Sequence, residues 1–93
     1  MPWQNNGGWT LNEASVKASA PAQSGVYALY TSQKWVYIGE SQDIRNRLLE
    51  HLRDDRIMRH GPTSFSYELH PASSRVARQD ALIAELNPSA NRM

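Results

Sequence analysis

The sequence predicts an α+β fold, in which a β-hairpin is followed by a helix, a third strand and a last helix. Strand-preferring residues fill 25–39 on both sides of the polar turn 31–34. Apolar residues then recur every fourth position over 44–52, which is the spacing of one helix face. Polar and apolar residues alternate over 64–70, which is the period of a strand with one wet face. The 93 residues are enough for one domain.

The composition excludes several classes of protein. There is no cysteine, so the chain has neither a disulfide framework nor a thiolate metal site. No apolar run approaches the roughly 20 residues of a membrane span, and the first residues do not form a signal peptide. We therefore expect a cytoplasmic protein with no membrane contact. The formal net charge is only +1, so a nucleic-acid footprint has to come from the placement of the arginines.

The N-terminal quarter of the chain carries one short helix signal. Thr10 is the expected N-cap of a helix over 11–18, with Glu13 as the reciprocal partner of a capping box. Pro21 ends this helix.

The hairpin carries two glycine–tyrosine motifs, Gly25-Val26-Tyr27 and Tyr37-Ile38-Gly39. Alternation along the strands divides their side chains between two faces. One face is expected to carry Tyr27, Leu29, Trp35 and Tyr37. The other face is more uniformly apolar and is the expected core side: Val26, Ala28, Tyr30, Val36 and Ile38. Two phenols therefore share a face that simple burial does not require.

The helix after the hairpin is the strongest helix signal in the chain. Ser41 is its expected N-cap, and its apolar stripe reaches about Asp54. The stripe consists of residues four apart: Ile44, Leu48 and Leu52. Arg47 and His51 are also four apart and lie on the edge of that stripe.

The last helix has a polar residue in the middle of its apolar face. Ser73 or Ser74 is the expected N-cap, and the helix ends at about Leu86. The predicted face consists of Val76, Gln79, Leu82, Ile83 and Leu86. A buried amide without partners costs on the order of 1–3 kcal/mol. Gln79 is therefore expected either to hydrogen-bond a backbone group at the sheet edge or to lie at the mouth of a cleft.

The two hairpin motifs resemble the signature of the GIY-YIG nucleases, a family of metal-dependent phosphodiesterases. The resemblance spans 25–91, because the remaining parts of the family pattern follow in order. The next helix has an arginine and a histidine, and the end of the chain has a Leu-Ile pair followed by a proline and an asparagine. It implies a small three-stranded antiparallel sheet flanked by helices. We therefore divide the chain into an N-terminal tail with a possible short helix, 1–24, and a GIY-YIG-like nuclease domain, 25–91. The implied function is metal-dependent endonucleolytic hydrolysis of DNA phosphodiester bonds.

The resemblance also assigns roles to individual residues. Tyr27 corresponds to the phenol given the part of general base, and Tyr37 to the one that positions water or phosphate. Arg47 corresponds to the catalytic arginine, whose planar guanidinium matches phosphate oxygens. His51 is expected to share proton transfer, and Asn91 to hold the site's hydrogen bonds.

The metal position departs from the family pattern. Gln79 stands where the family has its metal-binding glutamate, and an amide brings no charge to Mg²⁺ or Mn²⁺. The chain is therefore expected to bind metal poorly and to be impaired in cleavage. Either the chain is a natural inactive variant, or Gln79 is an engineered Glu→Gln change. The presence of the other residues of the family pattern favours the second. Glu40 is a lesser departure, which places a negative charge near the site.

Two other functions are left open by the sequence. The first is a catalytically silent nucleic-acid-binding domain that keeps the groove and the basic side chains. Besides Arg47, the side chains expected to bind DNA are Arg45, Arg53, Arg56 and Arg59. The second is a protein-interaction module, which would use exposed tryptophans: Trp3, Trp9 and Trp35. The sequence leaves the oligomeric state open.

Overall fold

The computed structural model describes residues 8–92, which form one antiparallel sheet with helices on both of its faces. The strands are β1 (Trp9–Thr10), β2 (Gly25–Tyr30), β3 (Trp35–Ser41) and β4 (Ser64–Leu69). The helices are α1 (Glu13–Ser19), α2 (Ile44–His51), α3 (Asp55–Met58) and α4 (Ala72–Leu86), and a 3-10 turn follows at Ala90–Arg92. The strand order is β1-β4-β2-β3. The α+β prediction is confirmed, and β1 adds a fourth strand that two residues were too few to signal.

A bulge in the hairpin changes the predicted division of its faces. Leu29 pairs with Tyr37, whereas the next residue of β2, Tyr30, pairs with Trp35. Val36 is therefore the extra residue and reverses the alternation. Val36 packs with the cluster that contains Tyr27, and Trp35 packs on the opposite side of the sheet. The predicted faces of Trp35 and Val36 are wrong for this reason, whereas Tyr27 and Tyr37 share one face as predicted.

The larger core lies on the tyrosine face, so the predicted core side is wrong. This cluster draws on α1, α2 and three strands, and includes Leu11, Val16, Ala20, Tyr27, Leu29, Ile44, Leu48 and Phe65. The smaller cluster, between the sheet and α4, consists of Val26, Ala28, Ile38 and Leu82. Helices α1, α2 and α3 contribute to the first cluster and α4 to the second, which explains the difference in size. A tyrosine ring is mostly apolar and can join a core if its hydroxyl finds a partner.

The segment before the hairpin belongs to the same packed unit. Thr10 lies in β1 and pairs with Ser64, so it does not cap a helix. Asn12 is the N-cap of α1, because its side chain accepts a hydrogen bond from the Ser15 N–H at 2.8 Å. Val16 of this helix is fully buried against α2 and the sheet. Residues 9–20 therefore contribute a strand and a helix to the core formed by 25–91.

The helix after the hairpin is shorter than predicted. Asp43, rather than Ser41, is its N-cap and accepts a hydrogen bond from the Asn46 N–H at 3.0 Å. The helix ends at His51, and Asp54 then caps the short α3. Each aspartate provides a local acceptor for an otherwise unpaired N–H of the first helical turn, so each helix begins directly after its aspartate.

The last helix faces the sheet with Leu82, Ile83 and Leu86 as predicted, but not with Val76. It begins after Pro71 without a side-chain cap, so the predicted serine cap is wrong. Leu82 is fully buried, but Val76 is 52% exposed. The sheet-facing line starts at Arg75, and Val76 lies about 100° further round the helix. Asn87 ends α4 in the left-handed region, with φ 49°.

The tryptophans are less exposed than the protein-interaction hypothesis requires. Trp9 stacks on Phe65 and Tyr67, with ring centroids 5.5 and 5.2 Å apart. Trp35 packs against Tyr30 at 5.3 Å. Both tryptophans are half-buried, and Trp3 lies outside the described residues. Within residues 8–92, no helix combines the length and the apolar character needed to cross a membrane.

Candidate active site

The two motif glycines create the space that the tyrosine face needs. A Cβ on Gly39 would collide with the Tyr27 hydroxyl and lie 2.6 Å from the ring carbon that bears it. A Cβ on Gly25 would collide with the carbonyl of Glu68 and meet Ile44 at 3.0 Å. Gly25 therefore lets β4 and α2 approach β2, and Gly39 lets the Tyr27 ring lie against β3.

Tyr27, Tyr37 and His51 form one aromatic cluster. The ring centroids of the two tyrosines are 6.2 Å apart, and that of Tyr37 is 5.0 Å from the His51 ring. The Tyr27 hydroxyl is 2.6 Å from His51 Nε2. Helix α2 delivers the histidine because Ile44, Leu48 and His51 occupy one buried face. Tyr27 is 0% exposed and His51 2%, whereas Tyr37 is half-buried and faces the solvent side of the cluster.

Burial keeps the hydroxyl–imidazole pair uncharged. It raises the pKa of Tyr27 well above its ordinary value of 10, and the neighbouring Tyr37 adds to this effect. It also lowers the pKa of His51 from 6.5 to about 4, and the charge of Arg47 adds to that shift. Near neutral pH the imidazole is therefore unprotonated, and the phenol donates its hydrogen bond to Nε2.

Arg47 supplies a positive charge at the exposed edge of this cluster. It lies one helical turn before His51, and its charge opposes the rise in the pKa of Tyr27. Its Nη1 is 2.8 Å from Glu50 Oε1, in a pair whose side chains are 45% and 53% exposed. Such exposed pairs are weak. The guanidinium is therefore available to an incoming anion.

Asn91 holds the strand that carries Tyr37. Its Oδ1 accepts from the Ile38 N–H at 2.7 Å, and its Nδ2 donates to the Ile38 carbonyl at 3.0 Å. The Ser89 N–H donates to the Trp35 carbonyl at 3.2 Å, so the C-terminal segment follows the outer edge of β3. Asn91 thus acts on the backbone between Tyr37 and Gly39.

Gln79 lies on the helix that covers the other face of the sheet. Its Nε2 donates to Asp80 Oδ1 at 3.3 Å, and its side chain is half-exposed. Within residues 8–92, the structure records no hydrogen bond from Gln79 to the sheet backbone, which was one of the two predicted arrangements. The structure therefore brings Tyr27, Tyr37, Arg47 and His51 together, while Gln79 approaches β3 from the α4 side.

The residues as they stand do not fit a divalent cation. Over residues 8–92 there is no group of three or more histidine, cysteine, aspartate or glutamate side chains placed to hold a metal ion. Gln79 offers only an uncharged amide. The carboxylate of Glu40 is already paired with Arg75, whose Nε lies 2.5 Å from Glu40 Oε1. Arg75 was not predicted to take part, although its position one turn before Gln79 was visible in the sequence.

The predicted DNA-binding arginines have different surroundings. On α2, Arg45 donates from Nε to the Ala20 carbonyl at 2.8 Å, so it is anchored towards α1. Arg53 lines an open groove of about 490 Å³ between α1 and α2. Arg47, by contrast, faces the tyrosine cluster on the other flank of the same helix.

The arginines of α3 are more accessible. Arg56 is 75% exposed and lies 3.6 Å from Asp54, which is a loose contact. Arg59 is also exposed, and its Nε is 3.5 Å from the Asp55 carbonyl. Both side chains can therefore reorient towards a polyanion.

Comparison with known proteins identifies the fold. No protein-family profile matches the chain, and no curated protein matches it in sequence. Among solved structures, the chain is similar to the GIY-YIG N-terminal endonuclease domain of UvrC from Thermotoga maritima bound to magnesium as its catalytic divalent cation. That match has a TM-score of 0.72 at 20% identity and covers 82% of this chain and 94% of that one.

Two variants of the same domain, each bound to its catalytic divalent cation, give similar matches. A tyrosine-to-phenylalanine variant has a TM-score of 0.71 at 20% identity and covers 82% of this chain and 93% of that one. An asparagine-to-alanine variant has a TM-score of 0.71 at 19% identity, with coverages of 81% and 92%. The hairpin motifs and the structural match agree, and the chain therefore has the fold of the GIY-YIG endonuclease domain.

Proposed function

We propose that this chain is a DNA phosphodiesterase domain whose cleavage is impaired because Gln79 replaces a metal-binding glutamate. The observation that carries the proposal is the buried contact between the Tyr27 hydroxyl and His51 Nε2, at 2.6 Å, with the charge of Arg47 at its exposed edge. Attack on a phosphodiester requires a proton acceptor for the attacking water and a permanent positive charge for the phosphate, and this site has both side by side.

The exposures of the two phenols divide their proposed roles. Tyr37 is the phenol that reaches solvent, so we assign it the contact with phosphate or with the attacking water. Tyr27 is fully buried, so in its proposed role as a base it receives the proton through Tyr37. In this relay the attacking water gives a proton to the Tyr37 oxygen, the Tyr37 hydrogen passes to the Tyr27 oxygen, and the Tyr27 hydrogen passes to the unprotonated Nε2 of His51, so that both phenols stay neutral. Arg47 stabilises the negative charge on phosphate, because its guanidinium stays charged throughout.

The proposal predicts that one carboxylate restores activity. Glutamine and glutamate are nearly isosteric, so Gln79→Glu changes the charge while keeping the shape. We expect the unaltered chain to nick plasmid DNA slowly or not at all, and Gln79→Glu to nick it with Mg²⁺ or Mn²⁺ but not with EDTA. Adding Arg47→Ala or Tyr27→Phe to Gln79→Glu should abolish nicking again.

The second candidate function is a silent DNA reader. The absence, over residues 8–92, of a three-ligand acidic or histidine cluster favours it. The same assay separates the two candidates when a DNA-binding measurement runs beside it. A Gln79→Glu protein that binds DNA but stays inactive at high metal concentration would establish the reader and disprove the enzyme.

A further inference from the structure

The guanidinium of Arg47 has a carboxylate partner on its own helix. Its Nη1 donates to Glu50 Oε1 at 2.8 Å, and Asn46 Nδ2 donates to Oε2 of the same carboxylate at 3.4 Å. The hydrogen bond to Glu50 is the main cause of a raised pKa of Arg47. A negative charge is therefore held against the arginine at the exposed edge of the tyrosine cluster.

This pair is poorly placed to stabilise the fold. The two side chains are 45% and 53% exposed, and water and salt screen a pair of this kind. Glu50 is the last residue but one of α2, where the helix dipole disfavours a carboxylate. The arginine precedes the glutamate, whereas pairs within a helix are stronger in the opposite order. Stability therefore gives no reason for a carboxylate at this position.

The carboxylate competes with phosphate for the arginine. Carboxylate and phosphate oxygens both accept from the N–H groups of a guanidinium, and they do so in the same planar geometry. A phosphate that reaches Arg47 either displaces Glu50 or binds beside its negative charge, which repels it. Glu50 therefore weakens the binding of phosphate at Arg47. The exposure of the pair limits this effect to a small factor, so the arginine is restrained but not blocked.

We propose that Glu50 is a positioning residue that holds the Arg47 guanidinium in the free protein and gives it up to a phosphate of DNA. The inference rests on the proposed binding of DNA at Arg47, but its test measures binding without cleavage. A Gln79→Glu protein that fails to cleave would therefore overturn the enzyme and leave this result standing.

The test is a titration of a fluorescently labelled DNA duplex with the full chain in EDTA, followed by anisotropy. We expect Glu50→Gln to bind about two- to fivefold more tightly than the unaltered chain, which is the factor that corresponds to one exposed ion pair. The control Glu13→Gln removes the same charge from the exposed pair Lys17–Glu13 of α1, and measures the effect of net charge alone. On an Arg47→Ala background, Glu50→Gln should change the affinity no more than this control does, because no guanidinium is left to release.

Several results would overturn the proposal. Equal binding by Glu50→Gln and the unaltered chain would do so. A gain that persists without Arg47, or one of the same size in Glu13→Gln, would assign the effect to net charge. Urea denaturation of Glu50→Gln should match that of the unaltered chain, and a loss of stability would show a structural role for the pair instead. DNA binding that is indifferent to Glu50 overturns only this inference, whereas a lack of DNA binding by every variant overturns the proposed function as well.

Discussion

The buried His51 should make the stability of this fold depend on pH. The unfolded chain takes up a proton at the ordinary pKa of 6.5, whereas burial and the charge of Arg47 lower the folded pKa of His51 to about 4. The folded state therefore binds fewer protons in this interval. The contribution to the free energy of unfolding is complete above pH 6.5 and is lost as the pH falls towards 4. At about 1.4 kcal/mol for each pH unit, the interval between 6.5 and about 4 corresponds to about 3 kcal/mol.

Urea denaturation at a series of pH values measures this contribution. Carboxylates titrate over the same range, so the informative quantity is the difference between the unaltered chain and His51→Gln. We expect the unaltered chain to lose about 3 kcal/mol more than the variant between about pH 7 and about pH 4. Parallel curves for the two proteins would refute the reasoning. A His51 imidazole that titrates near 6.5 in the folded state, followed by NMR, would refute it as well.

Three further predictions concern the strand that carries Tyr37 and the charge at the site. Gly39→Ala should lower the free energy of unfolding by about 1–3 kcal/mol in urea denaturation, because the new methyl overlaps a buried ring. The control Gly61→Ala, which has open space but a φ of 72°, should cost only about 1 kcal/mol, and equal costs would show that the overlap is relieved. Asn91→Ala should cost about 1–3 kcal/mol and speed hydrogen exchange at Ile38, and unchanged exchange would contradict the edge contact. Affinity for duplex DNA should fall steeply between low and moderate salt, and Arg47→Ala should reduce the slope of log affinity against log salt concentration by about one unit. An affinity that does not change with salt would indicate a protein partner.

Local patterns in the sequence determined the class of fold and the tyrosine pair. Strand propensity and alternation act between near neighbours, so the hairpin, β4 and the shared face of Tyr27 and Tyr37 followed from the residues alone. Helical spacing likewise placed Arg47 and His51 on one side of α2. The helix starts were less predictable, because Asn12 and Asp43 competed with neighbouring Thr10 and Ser41 as caps.

Only the tertiary structure decided how the faces are used and which charges are free. A single bulge at Val36 exchanged the faces of the residues beside it, and no local signal marks that insertion. The contacts Arg45–Ala20, Arg75–Glu40 and Asn91–Ile38 join residues 25, 35 and 53 positions apart. Such pairs depend on where the helices pack against the sheet. The spacing of polar and apolar residues along the sequence does not specify that position. The sequence therefore singled out side chains that the fold brings together, and packing determined which of them are buried, paired or exposed.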